Sequence, residues 1–231
     1  MTLLKVSELF ASIQGEGPSA GAPSVFLRLA QCNLHCSWCD TKYTWDFETY
    51  RYEDEVHVES VAGVARRLRE LLGDRLIVTG GEPLLQAKAL GELFAVLDAE
   101  RAPFVEVETN GTIAPSASLA PRVNQWNVSP KLENAGDPEH LRSKPDVLRA
   151  FLATGRAYLK LVVGTAADAD EAESLVSALA WPRDRVLLMA QASTQKTLAE
   201  RGPLIAAEAL RRGLRYSPRL HVERWDGARG V

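Results

Sequence analysis

Six short apolar, β-branched runs recur along the chain with helical patterns between them. This alternation limits the possible folds more than any single residue does. The runs are residues 25–29 (VFLRL), 76–78 (LIV), 104–107 (FVEV), 125–128 (QWNV), 158–163 (YLKLVV) and 186–189 (VLLM). Each has the length and residue types of a strand. In HVESVAGVARRLRELLG the apolar positions Val58, Val61, Val64, Leu68 and Leu71 step by three or four, and Gly73 follows as a stop. LGELFAVLDAE repeats the pattern through Leu90, Leu93, Phe94 and Leu97. DADEAESLVSALA carries acids in its first turn, which suits the positive end of a helix dipole. PLIAAEALRRG opens on Pro203 and closes on Gly213.

Strands alternating with helices imply βαβ units and a parallel sheet. About six such units fall short of the eight of a closed barrel. The expected fold is therefore α/β, a partial, open β/α barrel of about six parallel strands. Residues 43–57 and 131–145 show no clear period and read as long loops or insertions. With no internal repeat and no linker, residues 1–231 are expected to form one domain.

The 231 residues carry a formal net charge of -3, so composition gives no sign of a large basic footprint for nucleic acid. The start, MTLLKVSELF, lacks the apolar core of a signal peptide. No apolar run approaches the ~20 residues of a membrane helix. A cytoplasmic protein without direct nucleic-acid or membrane partners is expected.

All three cysteines lie in one stretch, CNLHCSWCDT, as Cys32, Cys36 and Cys39. In a reducing compartment such a cluster more often binds metal or does redox work than forms disulfides. Soft thiolates select zinc or iron–sulfur clusters. Zinc would need a fourth ligand, yet His35 adjoins Cys36, and His57, His140 and His221 are isolated. Three inert, buried thiols are a further alternative. A cubane cluster fits the number better, because three thiolates leave one iron open for a substrate or cofactor.

The spacing C-x-x-x-C-x-x-C, with aromatic Trp38 before the last cysteine, resembles the radical S-adenosylmethionine (SAM) superfamily. TGGEP at residues 79–83 resembles that superfamily's GGE motif. Taken together, FASIQGEGPSAGAPSVFLRLAQCNLHCSWCDT, TGGEP, VEVETNG and NVSPK resemble the 7-carboxy-7-deazaguanine synthase (QueE) family over nearly the whole chain. The resemblance implies a radical SAM barrel with a cluster loop at 32–41 and an inserted loop at about 43–57. It implies a lyase that converts 6-carboxy-5,6,7,8-tetrahydropterin to 7-carboxy-7-deazaguanine and ammonia by radical ring contraction, for queuosine or another deazapurine. SAM would be regenerated, and the other cofactors would be a 4Fe–4S cluster and Mg²⁺. A pterin substrate, a flavodoxin-like or other electron donor and a homodimer are the implied partners. A radical SAM activating enzyme for a glycyl-radical protein is the runner-up.

The resemblance also assigns residues. Cys32, Cys36 and Cys39 would hold the cluster, and Thr41 the Mg²⁺. Ile13, Gln14, Gly15, Glu16, Arg28, Thr79 and His221 would contact the pterin, with Glu16, Arg28 and Thr41 in catalytic roles. Trp38, Asp40, Gly80, Gly81, Glu82, Glu108, Asn110, Ser129, Pro130, Lys131 and Gln191 would contact SAM. Two glycines let a ligand approach the backbone, and Glu82 would face the SAM ammonium. Arg28 stands out on its own, because a guanidinium inside an apolar strand is costly unless paired. Its planar fork suits a substrate carboxylate, and a structural salt bridge is the competing explanation. The tail beyond His221 looks too long to bring its end to the pterin.

Overall fold

The computed structural model describes residues 2–71, 73–98 and 102–231. Among these residues nine strands form one sheet in the order β3-β1-β2-β4-β5-β6-β7-β8-β9. They are β1 (Leu3–Ile13), β2 (Pro23–Leu29), β3 (His57–Ser60), β4 (Arg75–Gly80), β5 (Phe104–Thr109), β6 (Gln125–Val128), β7 (Ala157–Val163), β8 (Val186–Ala190) and β9 (Arg215–Ser217). The helices are α1 (Tyr52–Glu55), α2 (Val61–Leu71), α3 (Ala87–Asp98), α4 (Glu139–Arg142), α5 (Pro145–Ala153), α6 (Ala166–Leu179), α7 (Gln195–Arg211) and α8 (Leu220–Trp225). From β2 across to β9 all neighbouring strands are parallel. β1 and β3 add an antiparallel edge. β3 and β9 are the two ends of the order and do not pair, so the barrel is open.

Side chains alternate across each strand. Leu27 and Leu29 of β2, Leu76 and Val78 of β4, Val105 and Val107 of β5, Trp126 and Val128 of β6, and Leu159 and Leu161 of β7 join the hydrophobic core. The residues between them, including Arg28, Thr79, Glu106, Glu108, Asn127 and Lys160, fall on the opposite, polar face. The predicted strand runs match β2 and β4 to β8. α6 starts with a capping box, in which Thr165 Oγ1 accepts from Asp168 N and Asp168 accepts from Thr165 N.

Some expectations fail for identifiable reasons. Val58 does not belong to a helix; it lies on β3 opposite Lys5 and is 53% exposed. Its helix begins only at Val61, where Ser60 Oγ accepts from Gly63 N. Pro203 does not open its helix, because α7 starts upstream, capped by Thr194, and encloses the proline. β1 has no clean strand signal in the sequence, because a register shift between Val6 and Glu8 interrupts its alternation. Ala99 and Glu100, the expected end of the helix through Leu97, lie outside the described residues. Residues 43–57 are mostly irregular around α1 before entering β3, and residues 131–145 hold only a short turn and α4 before α5 begins.

The turn after β4 positions the cysteine loop. A Cβ on Gly80 would lie 2.0 Å from Leu29 O, and one on Gly81 would lie 2.1 Å from Gln31 O. The two glycines thus admit the chain's own backbone as well as bordering the cavity. Gly81 N donates to Leu29 O at 3.0 Å, and Glu82 N donates to Gln31 O at 2.8 Å. Gln31, just before Cys32, sits in the left-handed region with φ 76°.

Glu82, expected to face the SAM ammonium, lies outside the cavity lining. It is fully buried and accepts from Leu84 N at 2.9 Å, Thr109 Oγ1 at 2.9 Å and Asn110 N at 2.7 Å. Its carboxylate ties the end of β4 to the end of β5. Glu82→Ala would strand several buried donors at roughly 1–3 kcal/mol each. It is expected to lower the unfolding free energy by at least about 2 kcal/mol in a urea titration of the metal-free chain. An unchanged midpoint would remove this structural role.

Candidate active site

The cysteine loop leaves β2 and folds over the C-terminal ends of the parallel strands, where α/β sheets place their ligands. Leu34, Cys36 and Ala135 form a small apolar cluster, with Cys32, Trp38 and Cys39 packed against it. Ser37 N donates to Ala135 O at 2.9 Å, and Trp38 Nε1 donates to Asn134 Oδ1 at 3.2 Å. All three thiols are free and line one cavity of about 480 Å³.

The donor set fits an iron–sulfur cluster. Burial pushes the Cys32 thiol up to about 11 and the Cys36 thiol up to about 12, so both need nearby positive charge to become thiolates. Trp45 Nε1 donates to Cys39 Sγ at 3.4 Å, and Asn110 Nδ2 stands 4.0 Å from Cys32 Sγ. N–H groups aimed at sulfur are how proteins tune such clusters. Among the described residues no three His, Cys, Asp or Glu side chains gather tightly enough for a single ion. Three thiols on one cavity, with no histidine gathered beside them among the described residues, suit a cluster that keeps one iron open.

Beneath the loop the cavity runs into the barrel. Ile13, Gln14, Gly15 and Glu16, on the segment leaving β1, line it together with Arg28 of β2. Thr79, Gly80 and Gly81 close β4, and Glu108 and Asn110 close β5. Ser129, Lys131, Gln191 and His221 complete the opposite wall, with Trp38, Asp40 and Thr41 from the cysteine loop. Of the residues assigned from sequence, Glu82 and Pro130 stand outside this lining. Pro130 is buried between Ser129 and Lys131, which do face the cavity.

Arg28 makes the salt bridge that was the competing explanation. Its Nε binds Glu8 Oε2 at 2.6 Å, and Tyr43 Oη donates to the same oxygen at 2.8 Å. Glu8 reaches Arg28 because the β1 register shift sets the two opposite each other. Arg28 still lines the cavity.

Glu16 is the hub of a second set. It accepts from Lys160 Nζ, from Arg219 Nε at 3.0 Å, and lies 3.6 Å from His221 Nε2. Burial alone would raise its pKa, but Lys160 and Arg219 together hold it far below the carboxylate range. Burial keeps His221 below the ordinary histidine value, and hence neutral at pH 7. His221 sits on α8 rather than at a strand end, and it packs so closely that a Cβ on Gly15 would lie 2.2 Å from its Nδ1. Arg219 also binds Asp40 and the Ala192 carbonyl, linking barrel, cysteine loop and C-terminal segment.

Several of these residues were not picked out from sequence. Lys160 carried the same signal as Arg28, a cation inside an apolar strand run. Arg219 carried none. The tail does return to the site: Gly227 and Arg229 line the cavity, and Arg229 binds Glu55 at 2.7 Å and Glu8 at 3.3 Å. Its guanidinium lies 3.6 Å from the Tyr43 ring centre.

The sequence pattern of the Radical SAM superfamily matches residues 28–123. A 7-carboxy-7-deazaguanine synthase from Pyrobaculum aerophilum is 41% identical over 228 residues, covering 98% of this chain and 97% of that one. One from Hyperthermus butylicus is 37% identical, covering 96% and 92%. The crystal structure of QueE from Escherichia coli matches with a TM-score of 0.72 at 25% identity, over 93% of each chain. With its thiols and barrel interior opening into one cavity, the chain belongs to the 7-carboxy-7-deazaguanine synthase family, radical SAM enzymes that use a 4Fe–4S cluster and SAM.

Proposed function

We propose that the chain converts 6-carboxy-5,6,7,8-tetrahydropterin to 7-carboxy-7-deazaguanine and ammonia. The observation that carries this reading is Arg28, a buffered guanidinium inside the same cavity as the three thiols. The atoms of substrate and products balance, so no external oxidant is consumed. When bound, the cluster and SAM supply a 5′-deoxyadenosyl radical able to take a hydrogen from C6 of the pterin.

The chain's own groups then bind, orient and shield. Arg28 is fixed through Nε by Glu8, and its terminal nitrogens are the donors for the substrate carboxylate. The backbone of Ile13, Gln14 and Gly15 borders the pterin. The Gln14 side chain is already engaged, donating to Glu106 at 2.8 Å while accepting from Glu16 N at 3.1 Å. Glu16 and His221 form the side nearest α8, one ionised and the other neutral. Thr41 offers a hydroxyl for Mg²⁺, which favours oxygen donors and keeps several waters. Ser129, Lys131, Gln191, Asn110 and the Gly80–Gly81 backbone face the SAM side. Lys131 Nζ donates to Ser129 Oγ at 3.1 Å and lies 5.4 Å from the Trp38 ring centre.

Among the described residues no helix is long and apolar enough to cross a membrane. A homodimer and a flavodoxin-like or other one-electron donor rest on the family resemblance alone, and a cytoplasmic setting rests on the clustered cysteines.

Anaerobic incubation of reconstituted, reduced protein with SAM, Mg²⁺ and carboxytetrahydropterin is expected to yield carboxydeazaguanine by mass spectrometry. SAM cleavage without that product would point to another substrate. Arg28→Ala removes a charge-assisted contact worth about 1.5–3 kcal/mol. It is expected to raise KM for the pterin roughly ten- to hundredfold while substrate-free SAM cleavage persists. Equal loss of both activities would contradict the role of Arg28.

A further inference from the structure

Lys160 is a buried cation placed between two carboxylates at the cavity wall. Its side chain is 6% exposed, midway along β7, with Leu159 and Leu161 pointing the other way into the core. Its ammonium binds Glu16 and stands 3.6 Å from Glu108 Oε1. Glu108 is fixed independently: Thr79 Oγ1 donates to its Oε2 at 2.8 Å, and Gln14 Nε2 to its Oε1 at 3.3 Å. Lys160, Glu16 and Glu108 all line the cavity. A buried charge triad is a poor source of stability, because apolar side chains of similar volume often serve as well. Its presence on a cavity wall therefore points to recognition.

Resting on the pterin reading above, we infer that Lys160 is a specificity-determining residue that donates to the 4-oxo group of the pterin. Glu108 beside it, assigned to SAM from the sequence but held here among the pterin-side residues Thr79, Gln14 and Lys160, accepts from N3–H and the 2-amino group. The pyrimidine edge of a pterin presents two donors and one acceptor in a row. A carboxylate supplies two parallel acceptors, and an adjacent donor is needed to complete the match. An ammonium has three donors and no acceptor, so Glu16 does not exhaust it. Arg28, on β2, would hold the carboxylate at the other end of the substrate. A 4-amino analogue would set N–H groups against the ammonium, leave its donor unpaired, and turn N3 from a donor into an acceptor facing Glu108, the situation in which buried polar sites discriminate strongly.

The test is equilibrium binding to reconstituted protein with SAM, followed by ligand fluorescence. The probes are 6-carboxypterin and 2,4-diaminopteridine-6-carboxylate. Wild type is expected to prefer the 4-oxo compound at least tenfold. Lys160→Met should weaken the 4-oxo compound at least tenfold and leave the 4-amino compound nearly unchanged, so that the ratio falls at least tenfold. Lys160→Arg should retain the preference. Lys160→Gln, neutral but still carrying an N–H donor, should keep part of the preference, so the ratio can be read even if the methionine variant folds poorly. Equal weakening of both compounds would make Lys160 a merely structural residue and overturn the inference. If wild type binds neither compound, the pterin reading itself fails, a result distinct from an unaltered ratio.

Discussion

An ionised group inside a barrel persists only if another charge or a set of donors compensates it. This chain meets that condition with linked pairs: Arg28 with Glu8, Lys160 with Glu16 and Glu108, Arg219 with Glu16 and Asp40, and Arg75 with Glu106. The pairs join strands that are distant in sequence and reach into the cysteine loop and the C-terminal segment. Removing one member exposes its partner to an uncompensated charge, so the inner face behaves as one unit. The outer face is ordinary aliphatic packing against helices. The same alternation of side chains thus makes a core on one side of the sheet and a reaction chamber on the other.

The chamber has two chemically distinct ends. At the mouth, thiols and N–H donors suit a cluster of soft metal ions and sulfide. Deeper, fixed charges suit a flat, polar heterocycle with a carboxylate. Asp40 and Arg219 span the two, so the residue after the last cysteine is tied to the wall that holds Glu16. Arg229 brings the tail over Tyr43 and shares Glu8 with Arg28, which places the closing segment against the substrate's proposed anchor.

Much of this was legible in the sequence because it is local. The six core strands follow from β-branched runs, and the cluster site from three cysteines within a single loop. Arg28 was legible as a charge in an apolar strand. Lys160 and Glu106 show the same signal in YLKLVV and FVEV, but no family motif marks them as it marks Arg28. Arg219 was illegible, because its partner Glu16 lies at the other end of the chain. Glu82 misled because an acid beside two glycines resembles a ligand contact, whereas its donors are the backbone of its own turn and of β5. β1 was hidden by its register shift, and Val58 by a three-residue spacing that coincidentally continued the helix pattern.

The central claim is that one cavity accepts cofactor and substrate together, with the thiol loop and the charged interior as its two ends. Its most direct test is a titration of anaerobically reconstituted protein with 6-carboxypterin, with and without saturating SAM. The geometry predicts one pterin per chain with SAM retained, an affinity equal or tighter when SAM is present, and a change in the cluster's spectrum as the pterin binds. Competition between the two, with SAM displaced as pterin is added, would contradict it.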